Sequence, residues 1–471
     1  MKTAGNLNIG YFYTMNLRLP ALFISLLILQ SLSAKAQWDD TDRLKPSFHK
    51  GRREAFRALM PEKSVAIFFA NPTRTRSNDV DYQYSQDPNF YYLSGYLEPN
   101  ALLFIFKDSV NLDGQQVKEM IFAQQRNSKR EVWTGQRLGV EGVKKNLGFQ
   151  AVYNGADFKE FGLDISKYNQ ILVKYPDAPS NDKDDSADIA DLSDQVNVKL
   201  KAFTDKVDNG IADRFLKQLR EVKLPEELAL MQKAIDISTI GFIEMMKTLN
   251  PSMTEYQAQA IVEYQMKKNG SEYPGYGSIA GSGANGCVLH YTFNRKQLVD
   301  GDLLLADMGA EYHNYTADIT RTIPVNGKFS AEQKIIYQLV LDAQNAGIAA
   351  CIDGNSFRST HKATTEVVTK GLMDLGIIKT ESDYKLYFMH GTSHYLGLDV
   401  HDAGTMGPLK AGTVITVEPG IYIPKGSNCD PKWWNIGIRI EDDILITETQ
   451  PRILSGALPR EIKDIEQLMS K

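Results

Sequence analysis

The chain has 471 residues, 42% apolar and 24% charged, with a net charge of −5. This is ordinary globular composition, with length for two or three domains. It gives no electrostatic footing for nucleic acid, which calls for a basic surface, and no nucleic-acid partner is expected.

Residues 1–36 read as a secretory signal peptide. Lys2 and Arg18 supply positive charge, residues 19–32 form a mostly apolar run, and Ala34-Lys35-Ala36 is a small-x-small cleavage site before Gln37. The run is short for a membrane span; an uncleaved anchor is the alternative, and Met15 is an alternative start. A periplasmic or secreted protein is expected, with no stable membrane insertion after cleavage.

Residues 37–205 read as an N-terminal α/β domain. The runs at 65–69, 102–106, 120–122 and 171–175 are short and apolar, as buried strands are. The aromatic stretch at 89–96 is assigned to the core, because aromatic side chains bury large areas. Residues 176–194 are rich in Asp, Ser and Pro and read as an exposed loop.

Residues 206–471 read as a second domain in which strands alternate with helices. A helical stretch at 212–222 leads to Pro225-Glu226-Glu227, a helix start that runs on through Met246. Thr254 with Gln257, and Ser330 with Gln333, form capping boxes that open two more helices. Cys287, Cys351 and Cys429 are too few and sparse for a disulfide framework, though one bridge with one free thiol is compatible with export.

The chemistry concentrates around His390, His394 and His401, three of the seven histidines. Gly391 and Gly397 disfavour a helix there, so an irregular or strand-like segment is expected. Asp307 and Asp318 end or occupy two strand-like runs separated by Glu311-Tyr312-His313-Asn314. A hairpin centred near Tyr312–His313 would set the two aspartates opposite each other, about 5 Å apart on one face. Carboxylates that close repel unless a cation lies between them. Glu418 stands at a strand end before Pro419-Gly420. In residues 437–443, Arg439, Glu441 and Asp443 alternate with Ile438 and Ile440. A lone acid is usually a surface group, but four carboxylates and a histidine make a mixed N/O donor set for divalent metals.

These residues, in this order, resemble the ligand set of the pita-bread dinuclear metallopeptidases. The matching stretches are GSGANGCVLHYT, LLLADMGAEYHNYTADITRTIPVNGKFS, FMHGTSHYLGLDVHD, TVEPGIYI and GIRIEDD. Within that group the chain is most similar to the aminopeptidase P (Xaa-Pro aminopeptidase) family, whose N-terminal domain QDPNFYYLSGYLEPNALLF also resembles. The resemblance implies an α/β (α+β) protein: an N-terminal α/β domain, then a pseudo-twofold pita-bread catalytic domain.

It implies release of the N-terminal residue from peptides with proline second, through a hydroxide bridging two divalent metals. By similarity these are two Mn²⁺, with Zn²⁺ or Co²⁺ as alternatives. Asp307 would chelate one metal, Asp318 and Glu441 would bridge, and His394 and Glu418 would complete the second. Glu418 would take the proton from water, and His401 or His390 would donate to the oxyanion. His290 matches a histidine near the substrate; Arg439 and Tyr422 match supporting residues. Trp133 matches a tryptophan enclosing the substrate, in some members across a subunit interface, and Asp79 an acid at that interface, so a homo-oligomer is implied. Residues 424–435, with Cys429 and Trp433-Trp434, depart from the family pattern and bear on the site's rim. The alternatives are an Xaa-Pro dipeptidase (prolidase) or a non-catalytic pita-bread peptide-binding protein; a methionine aminopeptidase and a creatinase-like hydrolase rank lower.

Overall fold

The computed structural model describes residues 41–175 and 188–470. The leader at 1–36 and most of the loop at 176–194 lie outside the described residues. In the part of that loop that is described, the expectation is corrected. Asp188 caps a helix over Ile189–Leu200, and Ile189, Leu192, Val196 and Leu200 form its buried stripe.

The N-terminal part is built on helix α1 (Pro46–Leu59) and a six-stranded mixed sheet. Its strands are β1 (Ser64–Phe69), β2 (Leu102–Leu112), β3 (Gln115–Ala123), β4 (Ala151–Asn154), β5 (Gln170–Lys174) and β6 (Val207–Asp208). The spatial order is β4-β3-β2-β1-β5-β6. β1 lies in the middle, antiparallel to β2 and parallel to β5. A strand covered on both faces needs apolar residues on both, and all six residues of β1 are buried. The four strands expected from the sequence are all present. The aromatic stretch folds as a helix, Pro88–Ser94, capped by Asp87, whose Oδ1 accepts from Phe90 N–H at 2.7 Å. Phe90, Tyr92 and Leu93 are fully buried, as expected of core.

Helices α2 (Ile211–Glu221), α3 (Pro225–Thr248), α4 (Glu255–Lys268) and α5 (Ala331–Ala349) follow, the last three opening at the proline and capping boxes identified above. Between and after them lie two long hairpins, each broken midway.

The first hairpin runs β7 (Leu303–Asp307), Met308-Gly309, β8 (Ala310–Tyr312), a turn, β9 (Tyr315–Thr316), residues 317–319, then β10 (Thr320–Pro324). The turn residues are His313 (φ 51) and Asn314 (φ 70). Positive φ at both central positions matches the two-residue turn that suits a twisted hairpin. It pairs Tyr312 with Tyr315 and Asp307 with Thr320. Asp307 and Asp318 are therefore not directly opposed, contrary to the expectation, but diagonal on the same face. The turn centre lies one residue later than the sequence suggested, and that moves the register by two.

The second hairpin repeats the plan: β11 (Val414–Val417), Glu418-Pro419, β12 (Gly420–Ile423), then β13 (Ile436–Arg439), Ile440-Glu441 and β14 (Asp442–Leu445). Val417 pairs with Asp442 and Gly420 with Arg439, so Glu418 and Glu441 face each other across the break. Helix α3 packs on the first hairpin and α5 on the second, a pseudo-twofold arrangement. Residues from Leu44 onward form one compact unit. All three cysteines are free. Among the described residues no helix is long and apolar enough to cross a membrane.

Candidate metal centre

The breaks in the two hairpins are where the regular strands are interrupted, although the Met308 N–H still donates to the Ile319 carbonyl at 3.1 Å and the Ala317 N–H to the Ala310 carbonyl at 3.0 Å. Asp307 ends β7, Asp318 lies in the return break, and Glu418 and Glu441 occupy the two breaks of the second hairpin. Gly309 makes the first break close: a Cβ there would lie 1.8 Å from the Ala317 carbonyl oxygen.

His394 arrives on an irregular segment laid along β11. Thr416 N–H donates to the His394 carbonyl at 3.0 Å and Glu418 N–H to the Thr392 carbonyl at 2.9 Å. As expected, this segment is not helical. Its far end is fastened by Asp402, whose carboxylate accepts from Arg220 and, at 2.9 Å, from Lys223. Burial opposes the charge on Asp402, yet those two cations hold its pKa below the usual carboxylate value.

One oxygen or nitrogen each from Asp318, His394 and Glu441 lie within 4.8 Å of one another. His394 Nε2 is 3.3 Å from Asp318 Oδ2 and 3.6 Å from Glu418 Oε1. The His394 Nδ1–H donates to the Tyr395 carbonyl at 3.0 Å, so Nε2 is the nitrogen turned to the carboxylates. Asp307 shares the same cavity of about 600 Å³, with Glu418, Glu441, His290, His390, His401 and Arg439. The structure thus gathers all five expected ligands and the three expected histidines. Tyr422 is fully buried beneath the cavity. The two remaining residues are elsewhere. Trp133 is 89% exposed, on the short helix Ser128–Thr134, and Asp79 is exposed in the turn before Val80–Asp81. Neither lines the cavity of this chain.

Sequence reasoning did not find Tyr276. Its hydroxyl donates to Asp307 Oδ1 at 2.6 Å, while Arg439 Nη2 donates to Asp307 Oδ2 at 2.6 Å. Nor did it find Thr320, which donates to Glu441 Oε2 at 2.6 Å and accepts from Arg439 Nε at 3.1 Å. Arg439 Nη1 also donates to the Tyr422 hydroxyl at 2.9 Å, and that hydroxyl lies 2.9 Å from His390 Nε2. With His390 Nδ1 donating to the Gly391 carbonyl at 2.7 Å, both nitrogens of that ring are engaged.

Burial drives the electrostatics. It raises the pKa of Glu418 to about 7, with the charges of Asp318 and Asp307 adding and those of His394 and Arg439 opposing. Glu441 is pushed well above the carboxylate range by burial and by Asp318, Glu418 and Asp307. Burial works against the charged form of His394, but Asp318 and Glu418 hold its pKa up at about 9. Four carboxylates share one cavity with one guanidinium and four imidazoles, and burial together with their mutual repulsion presses the Glu418 and Glu441 pKa values upward. Hard oxygen donors with one imidazole fit divalent cations.

The description of metallopeptidase family M24 matches residues 229–448, and that of the aminopeptidase P N-terminal domain matches residues 49–172. The chain is similar to a Xaa-Pro aminopeptidase of Haemophilus influenzae, 38% identical over 438 residues, covering 90% of this chain and 97% of that protein. It is similar to a Xaa-Pro aminopeptidase of Escherichia coli, 35% identical, covering 89% and 96%. The solved proline aminopeptidase P II from Yersinia pestis superposes with a TM-score of 0.81 at 34% identity, over 90% of this chain and 99% of that one. A zinc-substituted E. coli aminopeptidase P in complex with product gives 0.79 at 32% identity, over 91% and 98%.

Proposed function

The chain belongs to metallopeptidase family M24, in its aminopeptidase P branch, and from that premise we propose how its own residues carry the reaction. It is a Xaa-Pro aminopeptidase, hydrolysing the bond between the N-terminal residue of a peptide and a following proline. The convergence of Asp318, His394 and Glu441 within 4.8 Å, with Asp307 and Glu418 in the same cavity, supports the assignment of these five as ligands of two divalent cations. With metal bound, Asp318 and Glu441 would be shared between the cations, Asp307 would hold one, and His394 and Glu418 would hold the other. Mn²⁺ is our choice of metal from the oxygen-rich donor set, with Zn²⁺ as the second candidate. When bound, the cations supply Lewis acidity toward water and the scissile carbonyl.

The remaining steps belong to side chains. Glu418, on the cavity wall beside His394, accepts the proton of the attacking water. His401 donates to the developing oxyanion. It lines the cavity, its ring centroid 4.2 Å from that of His394, and makes no hydrogen bond to another described residue, whereas both nitrogens of His390 are engaged. His390, held through Tyr422 by Arg439, forms a fixed wall, and His290, which lines the same cavity, contacts the substrate. Proline offers no N–H and has a fixed φ, so this shaped histidine wall, rather than a hydrogen bond, must recognise it.

We divide the chain near residue 205 into the two domains and assign Trp133 and Asp79 to a subunit interface of a homo-oligomer. An indole 89% exposed in the single chain supports that assignment. Export after cleavage before Gln37 is the proposed localisation. The test is the chain from Gln37, loaded with Mn²⁺ and given an Xaa-Pro-Xaa tripeptide beside an Xaa-Pro dipeptide. Cleavage of the tripeptide is expected, and loss of turnover in Glu418→Ala and His394→Ala. Cleavage of the dipeptide alone would make the chain a prolidase, and full rates in either variant would overturn the ligand assignment.

A further inference from the structure

His290 lines the cavity but makes no hydrogen bond of its own among the described residues. Its place in the wall is therefore set by the loop that carries it, between Ser282 and Lys296. One buried side chain gathers that loop. Glu255, the first residue of α4 and fully buried, directs Oε1 at Ser282 N–H (2.8 Å), Ser282 Oγ (2.8 Å) and Asn285 Nδ2 (3.0 Å). Its Oε2 accepts from the Tyr291 hydroxyl at 3.0 Å and from Lys296 N–H at 2.9 Å. The Glu255 backbone N–H in turn donates to the Lys296 carbonyl at 2.9 Å.

We propose that Glu255 is a positioning residue for the reaction, holding His290 at the substrate through a loop closed on its carboxylate. This rests on the functional reading of His290 given above. Five donors from four residues converge on two oxygens, and only a carboxylate accepts at every one of them. The negative charge also suits the helix N-terminus at which it stands. A glutamine there would turn an NH₂ group toward donors on one side. The clasp encloses the stretch in which His290 adjoins Tyr291, so the contact from Tyr291 is one residue from the histidine it orients. Neither Glu255 nor Tyr291 lines the cavity that holds the proposed ligands, so neither would touch a bound metal.

The experiment is a double-mutant cycle on the metal-loaded full chain with an Xaa-Pro-Xaa tripeptide. Glu255→Gln and Tyr291→Phe are each combined with His290→Ala. Tyr291→Phe removes a single hydroxyl and covers the case in which Glu255→Gln does not fold. Each variant alone should lower kcat/KM, by roughly 3- to 100-fold, the span of coupling through a direct contact. The bound metal should be unchanged. In the His290→Ala background neither change should lower the rate further by more than about twofold. Equal losses in both backgrounds, with His290→Ala itself impaired, would overturn the positioning role of Glu255 alone. A fully active His290→Ala would instead overturn the assignment of His290 to the substrate.

Discussion

Asp307 illustrates what a single residue in this site is asked to do. Both its oxygens accept short hydrogen bonds, from Tyr276 and from Arg439, and burial raises its pKa, with Asp318 adding and Arg439 opposing. Such outer partners fix the orientation of a ligand, and losing one typically weakens metal binding about 10- to 100-fold. Tyr276→Phe should do so, read by equilibrium dialysis against Mn²⁺ or Zn²⁺; unchanged affinity would separate Asp307 from the metal site. A second residue makes a prediction about pH. His49 is buried, its Nδ1–H donating to the Tyr92 carbonyl at 3.0 Å. Burial lowers its pKa from 6.5 to about 4; the Tyr92 bond opposes that shift and the Arg53 charge adds to it. Above pH 6.5 both folded and unfolded states hold the ring neutral, so nothing is contributed there. Below it the unfolded chain takes up a proton that the folded chain refuses, and stability falls until about pH 4. Between pH 7 and pH 5 this amounts to about 2 kcal/mol. His49→Gln keeps a donor for the carbonyl and cannot titrate. Its urea stability should lose about 2 kcal/mol less than wild type over that interval, and equal losses would show that His49 is protonated in the folded protein.

At the scale of elements, the broken hairpins decide where the ligands point, and they also mark how far the sequence could be read. Strands such as Ser64–Phe69 and helices such as Pro225–Thr248 were legible because apolar runs, prolines and capping boxes are local signals. The candidate ligand set was legible because the order of motifs carried it. The register was not: whether Asp307 meets Asp318 or Thr320 depends on which two residues turn, and only positive φ at His313 and Asn314 settles that. The helix at Ile189–Leu200 escaped notice because its apolar spacing begins inside an acid-rich run. Tyr276 was invisible because its partner lies 31 residues away and Tyr273-Pro274-Gly275-Tyr276-Gly277 has no periodicity. The break itself is testable through Gly309→Ala. The added Cβ would meet the Ala317 carbonyl oxygen at 1.8 Å, backbone that cannot swing aside as a side chain can. Overpacking of this kind costs roughly 1–3 kcal/mol, and Ala317 adjoins Asp318, so metal affinity should fall with the melting temperature. Gly162→Ala, where nothing lies within 4 Å of the new Cβ, should change neither. A Gly309→Ala protein that melts and binds metal like wild type would mean the break is not held by that close approach.

For the whole molecule, the question is what keeps two hairpins, some hundred residues apart in the chain, aligned closely enough to share one set of ligands. Part of the answer is direct strand contact: Glu441 N–H donates to the Thr320 carbonyl at 3.1 Å, and Asp318 N–H to Asp443 Oδ2 at 3.2 Å. The bonds of Arg439 to Asp307 and of Thr320 to Glu441 also span the two, and so does Arg321, a fully buried residue of the first hairpin's return strand. Its guanidinium donates to the Thr320 and Glu441 carbonyls, to Asp442 Oδ1 at 2.7 Å, and to the Pro459 and Leu458 carbonyls at 3.0 and 3.2 Å. Asp442, also fully buried, is completed by Ser455 and Gln344. One planar cation thus joins the return strands of both hairpins to the C-terminal segment, and it holds the backbone carbonyl of Glu441, a proposed metal ligand. Exchanging a buried ion pair for apolar side chains is often neutral, but removing one partner leaves the other charge uncompensated, at about 3–5 kcal/mol. Here four carbonyls would lose their donor as well, so Arg321→Met should reach at least that range in urea denaturation. Asp442→Asn, which keeps an acceptor for the guanidinium, should cost less. Because the strand carrying Glu441 is displaced, metal affinity should fall in Arg321→Met too, and saturating metal should restore part of the stability, about 2.7 kcal/mol at a hundredfold excess over Kd. Wild-type stability and metal affinity in Arg321→Met would mean that the apolar core alone aligns the two halves.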